Sequence, residues 1–150
     1  ENWHWSPFSR LYPQQNLFSY AFHSLKLEPG GKFCSAMGFD QTARPIVLSA
    51  HHQQAEKLGK GFRVIASSLD GKVIEAIENE RYANVLGVQF HPEFHILYGP
   101  ESRYRFTPED RETVSLPVFL AAHPPSLEFH KKIWAWVSDG WKEESRRRGV

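Results

Sequence analysis

Residues 84–94 read NVLGVQFHPEF. From Asn84 to Phe90 the run is apolar almost throughout, and a short run without polar alternation predicts a central strand buried on both faces. It stops abruptly on His91-Pro92-Glu93. In open α/β sheets, ligands and catalytic groups gather beyond the carboxyl ends of the strands. An imidazole and a carboxylate at that place are therefore candidates for chemistry. A spacing of two in extended backbone turns both side chains the same way, and Pro92 biases His91 toward extended conformations. A carboxylate beside an imidazole selects its tautomer and stabilises the imidazolium. His91 and Glu93 thus have the form of a general base and its orienting acid. A salt-bridged surface pair at a strand end has the same spacing.

Upstream, FRVIASS and KVIEAIEN alternate and are β-rich, and Asp70-Gly71 between them is a strong hairpin turn. Alternation puts Val73, Glu75 and Ile77 on one face of the second strand and Ile74, Ala76 and Glu78 on the other. Residues 45–50, PIVLSA, predict a brief strand, and HHQQAEKLGKG after it predicts one or two helical turns stopped by Gly59 and Gly61. Residues 21–27 predict another strand, closed by Pro29-Gly30-Gly31. Residues 32–38 fit a short helix or a turn. Residues 1–20 read as irregular around Pro7 and Pro13.

Downstream, residues 95–125 are spotted with proline and predict a long loop, a lid or an insertion. A helix then starts near Ser126, with Glu128 in its first turn and Arg146 to Arg148 at its basic end. His130, Ile133, Trp134, Val137 and Trp141 recur at spacings of three and four and predict its core-facing stripe.

A chain of 150 residues is long enough for one compact domain with its own core. Its net charge of +1 supplies no field for a nucleic acid or an anionic membrane, so neither is expected as a partner. No run approaches the ~20 apolar residues of a membrane helix. The start, ENWHWSPFSR, lacks the basic and apolar segments of a secretory signal. The single cysteine, Cys34, excludes an internal disulfide and fits a reducing, cytoplasmic setting. The chain opens on Glu rather than Met, as a processed chain or a piece of a longer one does. Aromatics cluster at Trp3, Trp5, Phe8 and Tyr12 and in the last helix, more than so small a domain needs to bury.

Three stretches carry a resemblance to a known family. GVQFHPE resembles the GVQ-aromatic-HPE signature of class I glutamine amidotransferase-like proteins. LSAHHQQAEKLGKGFRVIASSLDGKVIEAIE is similar, nearly position for position, to the stretch before that signature in the gamma-glutamyl-gamma-aminobutyrate hydrolase branch. FHSLKLEPGGK resembles the family's His-x-Val-x-Leu-x-Pro-Gly segment. The likeness covers about residues 21–95. It implies an α/β fold, the C-terminal portion of a flavodoxin-like three-layer sheet with an antiparallel hairpin and a C-terminal amphipathic helix.

The resemblance also implies a Cys-His-Glu triad that hydrolyses γ-glutamyl amides, with His91 as base and Glu93 as orienter. His51 and Gln53 would make hydrogen bonds in or near the substrate pocket. The nucleophile should sit on a Gly-x-Cys-x-Gly elbow at a helix N-terminus, where the thiolate is favoured. Cys34, in GGKFCSAMG, fits no such elbow and reads as a small buried residue. Residues 1–150 therefore read as the C-terminal part of one such domain. The expected partners are the N-terminal half that carries the cysteine, on a separate or missing segment, and a small γ-glutamyl substrate. A homo-oligomer stays open.

No cofactor is expected, and no metal: neighbouring His51 and His52 diverge in extended chain, and no zinc-type spacing is present. Glu75 is either a satisfied strand carboxylate or a pocket wall facing a substrate α-amino group. Tyr98, Arg103, Tyr104 and Arg105 belong to a solvated insertion or to a lid reading a carboxylate. Two other functions stay open. One is the glutaminase unit of a biosynthetic amidotransferase, and the other is an inactive binding or scaffold module.

Overall fold

The structure, a computed structural model, describes residues 6, 9–11, 15–82 and 84–149. Trp3, Trp5, Phe8 and Tyr12 lie outside the described residues. Five strands form one sheet: β1 (Ala21–Leu27), β2 (Ile46–Ser49), β3 (Phe62–Ser68), β4 (Ile74–Asn79) and β5 (Leu86–Val88). Their order is β2-β1-β3-β4-β5, and every neighbouring pair is antiparallel. β1 changes partner along its length, with Ala21 to Ser24 pairing β2 and Leu25 to Leu27 pairing β3. This stagger curls the sheet. The curl is nearly closed on itself, because the His91 N–H, just past β5, donates to the Leu48 carbonyl of β2 at 2.9 Å.

Alternation in β1 sorts two cores. Leu25 and Leu27 point into a cluster with Phe33, Val47, Ile65, Ala66, Ala76, Phe90, Phe129 and Ile133. Phe22 points the other way, toward Phe18, Leu48, Leu97, Leu116 and Leu120. The first core is covered by α1 (Lys32–Ala36) and α3 (Ser126–Arg148), and the second by α2 (Leu116–Ala121) and the 3-10 turn His95–Leu97. The result is a mixed α/β fold with a curled antiparallel sheet and a C-terminal helix, compatible with part of a flavodoxin-like domain. None of the described helices is long and apolar enough to cross a membrane.

The hairpin β3–β4 turns at Asp70-Gly71 as its sequence requires. Gly71 takes φ 73°, a left-handed conformation that suits glycine. Its ladder carries two compensating irregularities. Val64 pairs Ile77 and Ser67 pairs Ile74, but between them Ala66 pairs Ala76. Ile65 on one strand and Glu75 on the other are thus extra residues, each a β-bulge. Bulges break strict alternation, and Glu75 and Ala76 are buried in succession.

Three expectations are corrected. The strand predicted at 84–90 is only Leu86–Val88. It is half-buried and antiparallel to β4, and it lies at the sheet edge rather than its centre. Its apolar outer side has no strand beside it among the described residues. Residues 95–125, expected as a long loop, a lid or an insertion, carry short elements. They hold the 3-10 turn, a ribbon of β6 (Arg103–Tyr104) and β7 (Val114–Ser115), and α2. Arg105 donates to the Gln15 and Pro108 carbonyls and Arg103 to the Thr113 carbonyl, so both guanidiniums hold the segment together. Residues 51–61 form no helix, since Gly59, Gly61 and bends at His52 and Lys57 leave no run of helical residues.

The helix α3 is where Ser126 and the arginines place it, and Gly149 ends it at φ 71°. Its buried line, however, runs through Phe129, Ile133 and half-buried Trp136 as well as His130. Trp134 is 43% exposed and Trp141 76% exposed. A shift of one residue rotates a helix face by about 100°, so the tryptophan line falls beside the core and faces the open side of β5.

Candidate active site

β5 ends at Val88, and after the Gln89 N–H donates to the Glu75 carbonyl at 2.8 Å the chain leaves the ladder. Phe90 drops into the first core at 2% exposure, and Pro92 and Glu93 form a turn. His91 and Glu93 meet through that turn rather than through continued strand. The His91 Nδ1 lies 2.7 Å from Glu93 Oε1. A carboxylate only accepts, so Nδ1 carries the hydrogen and Nε2 is left with its lone pair, ready to take a proton. The ring stacks on Phe94, with centroids 5.0 Å apart and planes at 15°. His91 is half-buried and Glu93 exposed, so a partner group can reach the imidazole.

The turn is clamped from outside. Tyr98 Oη donates to the Pro92 carbonyl at 2.6 Å, and Trp134 Nε1 donates to Tyr98 Oη at 2.7 Å. Burial pushes the Tyr98 phenol up to about 12, so it stays a donor at any physiological pH. Neither residue was singled out by sequence as a support for the His-Pro-Glu turn. Tyr98 belongs to the expected loop, and Trp134 to the expected core stripe.

His51 and Gln53 lie just beyond β2, close to this turn because Leu48 accepts the His91 N–H. They meet each other through backbone: His51 Nδ1 is 3.0 Å from the Gln53 carbonyl, while the Gln53 side chain is exposed. The imidazole of His51 turns inward, with Nε2 3.6 Å from Glu75 Oε1. His23 of β1 comes to the same carboxylate at 3.4 Å. Glu75 is fully buried, and burial raises its carboxyl to about 7. The structure therefore brings His51 to Glu75 and His23, and it brings His91 to Glu93. His23 had one sequence signal, its place in FHSLKLEPGG, and nothing in the spacing marks it as a neighbour of Glu75.

Cys34 sits in α1, 5% exposed in the first core. Burial, together with the nearby Glu78 charge and against that of Arg63, pushes its thiol up to about 11. Glu78 itself accepts from the Lys32 and Phe33 N–H groups, both at 3.0 Å, and from Arg63 Nε at 2.8 Å. An acidic group therefore occupies the helix start next to Cys34. A protonated, enclosed thiol beside a carboxylate is the reverse of what a nucleophile needs.

The model of the Peptidase C26 family matches residues 4–93. A glutamine amidotransferase-like protein of Rickettsia prowazekii (strain Madrid E) is 35% identical over 72 residues, covering 48% of this chain and 25% of that protein. A glutamine amidotransferase-like protein of Lactococcus lactis subsp. lactis (strain IL1403) is 48% identical over 59 residues, 39% of this chain and 24% of that protein. The glutamine-hydrolysing GMP synthase of Dictyostelium discoideum is 30% identical over 106 residues, 63% of this chain and 14% of that protein. The chain spans a quarter or less of the length of these relatives. The matched region runs through β1 to β5 and ends on Glu93, the acid of the His-Pro-Glu turn, and the chain belongs to the Peptidase C26 family.

Proposed function

We propose that this chain is the His/Glu-bearing part of a γ-glutamyl amide hydrolase of the gamma-glutamyl-gamma-aminobutyrate hydrolase branch. The observation that carries the reading is the 2.7 Å contact between His91 Nδ1 and Glu93, which leaves Nε2 as an accessible base. In this reading Nε2 takes the proton of a cysteine thiol, and the thiolate attacks the γ-glutamyl carbonyl carbon. The C–N bond then breaks, the imidazolium returns its proton to the leaving amine, and a thioester forms. Water, activated by the same imidazole, cleaves that thioester to free γ-carboxylate and thiol.

The cysteine comes from outside this chain, on a complementary N-terminal segment. Two features support its docking place. The outer edge of β5 has no strand beside it among the described residues. An open groove of about 980 Å³ lies next to it, lined by Val85, Leu86, Val88, Pro92, Trp134 and Trp141. A strand added there, with its helix in the groove, would bring an elbow alongside His91. The match to a glutamine-hydrolysing GMP synthase favours a second reading, a glutaminase unit that passes ammonia to a synthetase.

With the complementary segment present, His91→Ala is expected to abolish γ-glutamyl hydrolysis, while Glu93→Gln keeps a small residual rate. Undiminished turnover in the His91 variant would sink the base assignment. Release of free ammonia from glutamine only when a synthetase is bound would favour the second reading.

A further inference from the structure

We infer that His23, His51 and Glu75 form a binding site for one divalent transition-metal ion of the zinc type. One ligand atom from each lies within 4.8 Å of the others, inside the curl of the sheet. Glu75 Oε1 is 3.4 Å from His23 Nε2 and 3.6 Å from His51 Nε2. Ligands held at zinc's bond lengths of ~2.0–2.1 Å stand roughly 3.3 Å apart along the edges of a tetrahedron. Charge-assisted hydrogen bonds between the same groups would close to about 2.7–2.9 Å. The two separations from Glu75 are close to that edge, and the third lies within 4.8 Å.

The histidine tautomers agree. His51 Nδ1 faces the Gln53 carbonyl at 3.0 Å, and His23 Nδ1 faces the Ser24 carbonyl at 3.4 Å. A carbonyl can only accept, so the hydrogen sits on Nδ1 and each Nε2 presents a lone pair. Backbone carbonyls on the far nitrogen are the usual outer support of metal-bound histidines. Two lone pairs and a carboxylate then converge on one point, a donor set that a cation can bridge. Imidazole with one carboxylate is a donor set suited to zinc, and three protein ligands leave a fourth position for water.

Access is from one side. His23 and Glu75 are buried, while His51, just past β2, is half-buried. The bulge in β4 supplies the carboxylate, since Glu75 is the extra residue of that strand. The three ligands come from separate strands or strand ends, so no local spacing in the sequence announces the site. A bound ion would tie the end of β2, and with it the carbonyl that holds the His91 N–H, to β1 and β4.

The site is tested by metal binding, independently of any hydrolase activity. The full protein, freed of metal by a chelator, is titrated with Co²⁺ and followed by visible absorption. One equivalent is expected to give the intense bands of a four-coordinate ion, and Zn²⁺ should bleach them. His51→Ala, at a half-buried loop position that the core does not need, should lose the bands and weaken Zn²⁺ binding at least about 100-fold. The exposed neighbour variant His52→Ala should bind as the wild type does. Absence of the bands in the wild type overturns the site, and so does their persistence in His51→Ala or their loss in His52→Ala. A thermal midpoint unmoved by Zn²⁺ in the wild type would also overturn it, leaving a shared proton in the ion's place.

Discussion

The two edges of the sheet are treated very differently. At the β2 edge three outward backbone groups are occupied. The Ile46 N–H donates to Ser126 Oγ at 2.8 Å, the Ile46 carbonyl accepts from His130 Nε2 at 3.2 Å, and the Leu48 carbonyl accepts from His91. Phe129 and Ile133 seal the core behind them. At the β5 edge no strand or helix takes the outer ladder among the described residues, and Val85, Trp134 and Trp141 stay exposed. Proteins blunt or cover free edges because such edges recruit other chains. One edge is therefore covered within this chain, and the other is left open among the described residues.

The sharpest way to break the comparison is to open the covered edge. Phe129 is 1% exposed and touches Phe33, Phe39 and Phe90. Phe129→Ala should destabilise the fold by about 3–5 kcal/mol in denaturant titrations. A loss below about 1 kcal/mol would mean that α3 does not close this core.

His130 tests the same edge through pH. Burial lowers its pKa from 6.5 to about 4, against the lesser effect of the Ile46 carbonyl. The ring is thus neutral at pH 7 and donates from Nε2. Between pH 6.5 and about 4 the unfolded chain takes up a proton that the folded chain refuses. Stability should therefore fall on acidification through that window, by up to about 3 kcal/mol. Glu75 works in the opposite sense, because its raised folded pKa adds stability as pH falls through 7. The difference between wild type and His130→Gln cancels that contribution. A flat difference curve from pH 7 to 4 would remove His130 from the edge.

The smallest effect on folding is expected at the open edge. Trp141→Glu changes a residue 76% exposed and should alter the stability of this chain by no more than about 0.5 kcal/mol. The same variant should weaken capture of a complementary cysteine-bearing segment in a pull-down or titration. Unchanged capture would place that segment elsewhere.

These contrasts also explain what the sequence could and could not reveal. Asp70-Gly71 is a local signal, decided by turn chemistry, and the hairpin turns there; the last helix also begins at Ser126, as expected, although Pro125 is its cap and the Ser126 hydroxyl binds Ile46 and His123 instead. His91 and Glu93 pair as their spacing indicates, although a turn at Pro92 and not an extended strand brings them together. The run at 84–90 looks central because its residues are apolar on both sides. In the fold one of those sides is the groove beside Trp134 and Trp141, and apolar character alone cannot tell a buried face from one awaiting a partner. The helix stripe failed for a related reason: two apolar lines one residue apart compete, and tertiary packing chose Phe129 over Trp134. His23 was hidden because its partner Glu75 reaches it across the curl, a long-range contact with no local period.

The paired bulges at Ile65 and Glu75 bear on how this hairpin can change by inheritance. A codon lost at Glu75 alone would slip the remainder of β4 by one position, turning Ala76 away from the first core and Glu78 away from the start of α1. Loss of both codons would restore an unbroken ladder, but it would take Ile65 out of the first core together with the buried acid. In register terms the two positions are therefore linked, and a deletion at one is compensated only by a deletion at the other.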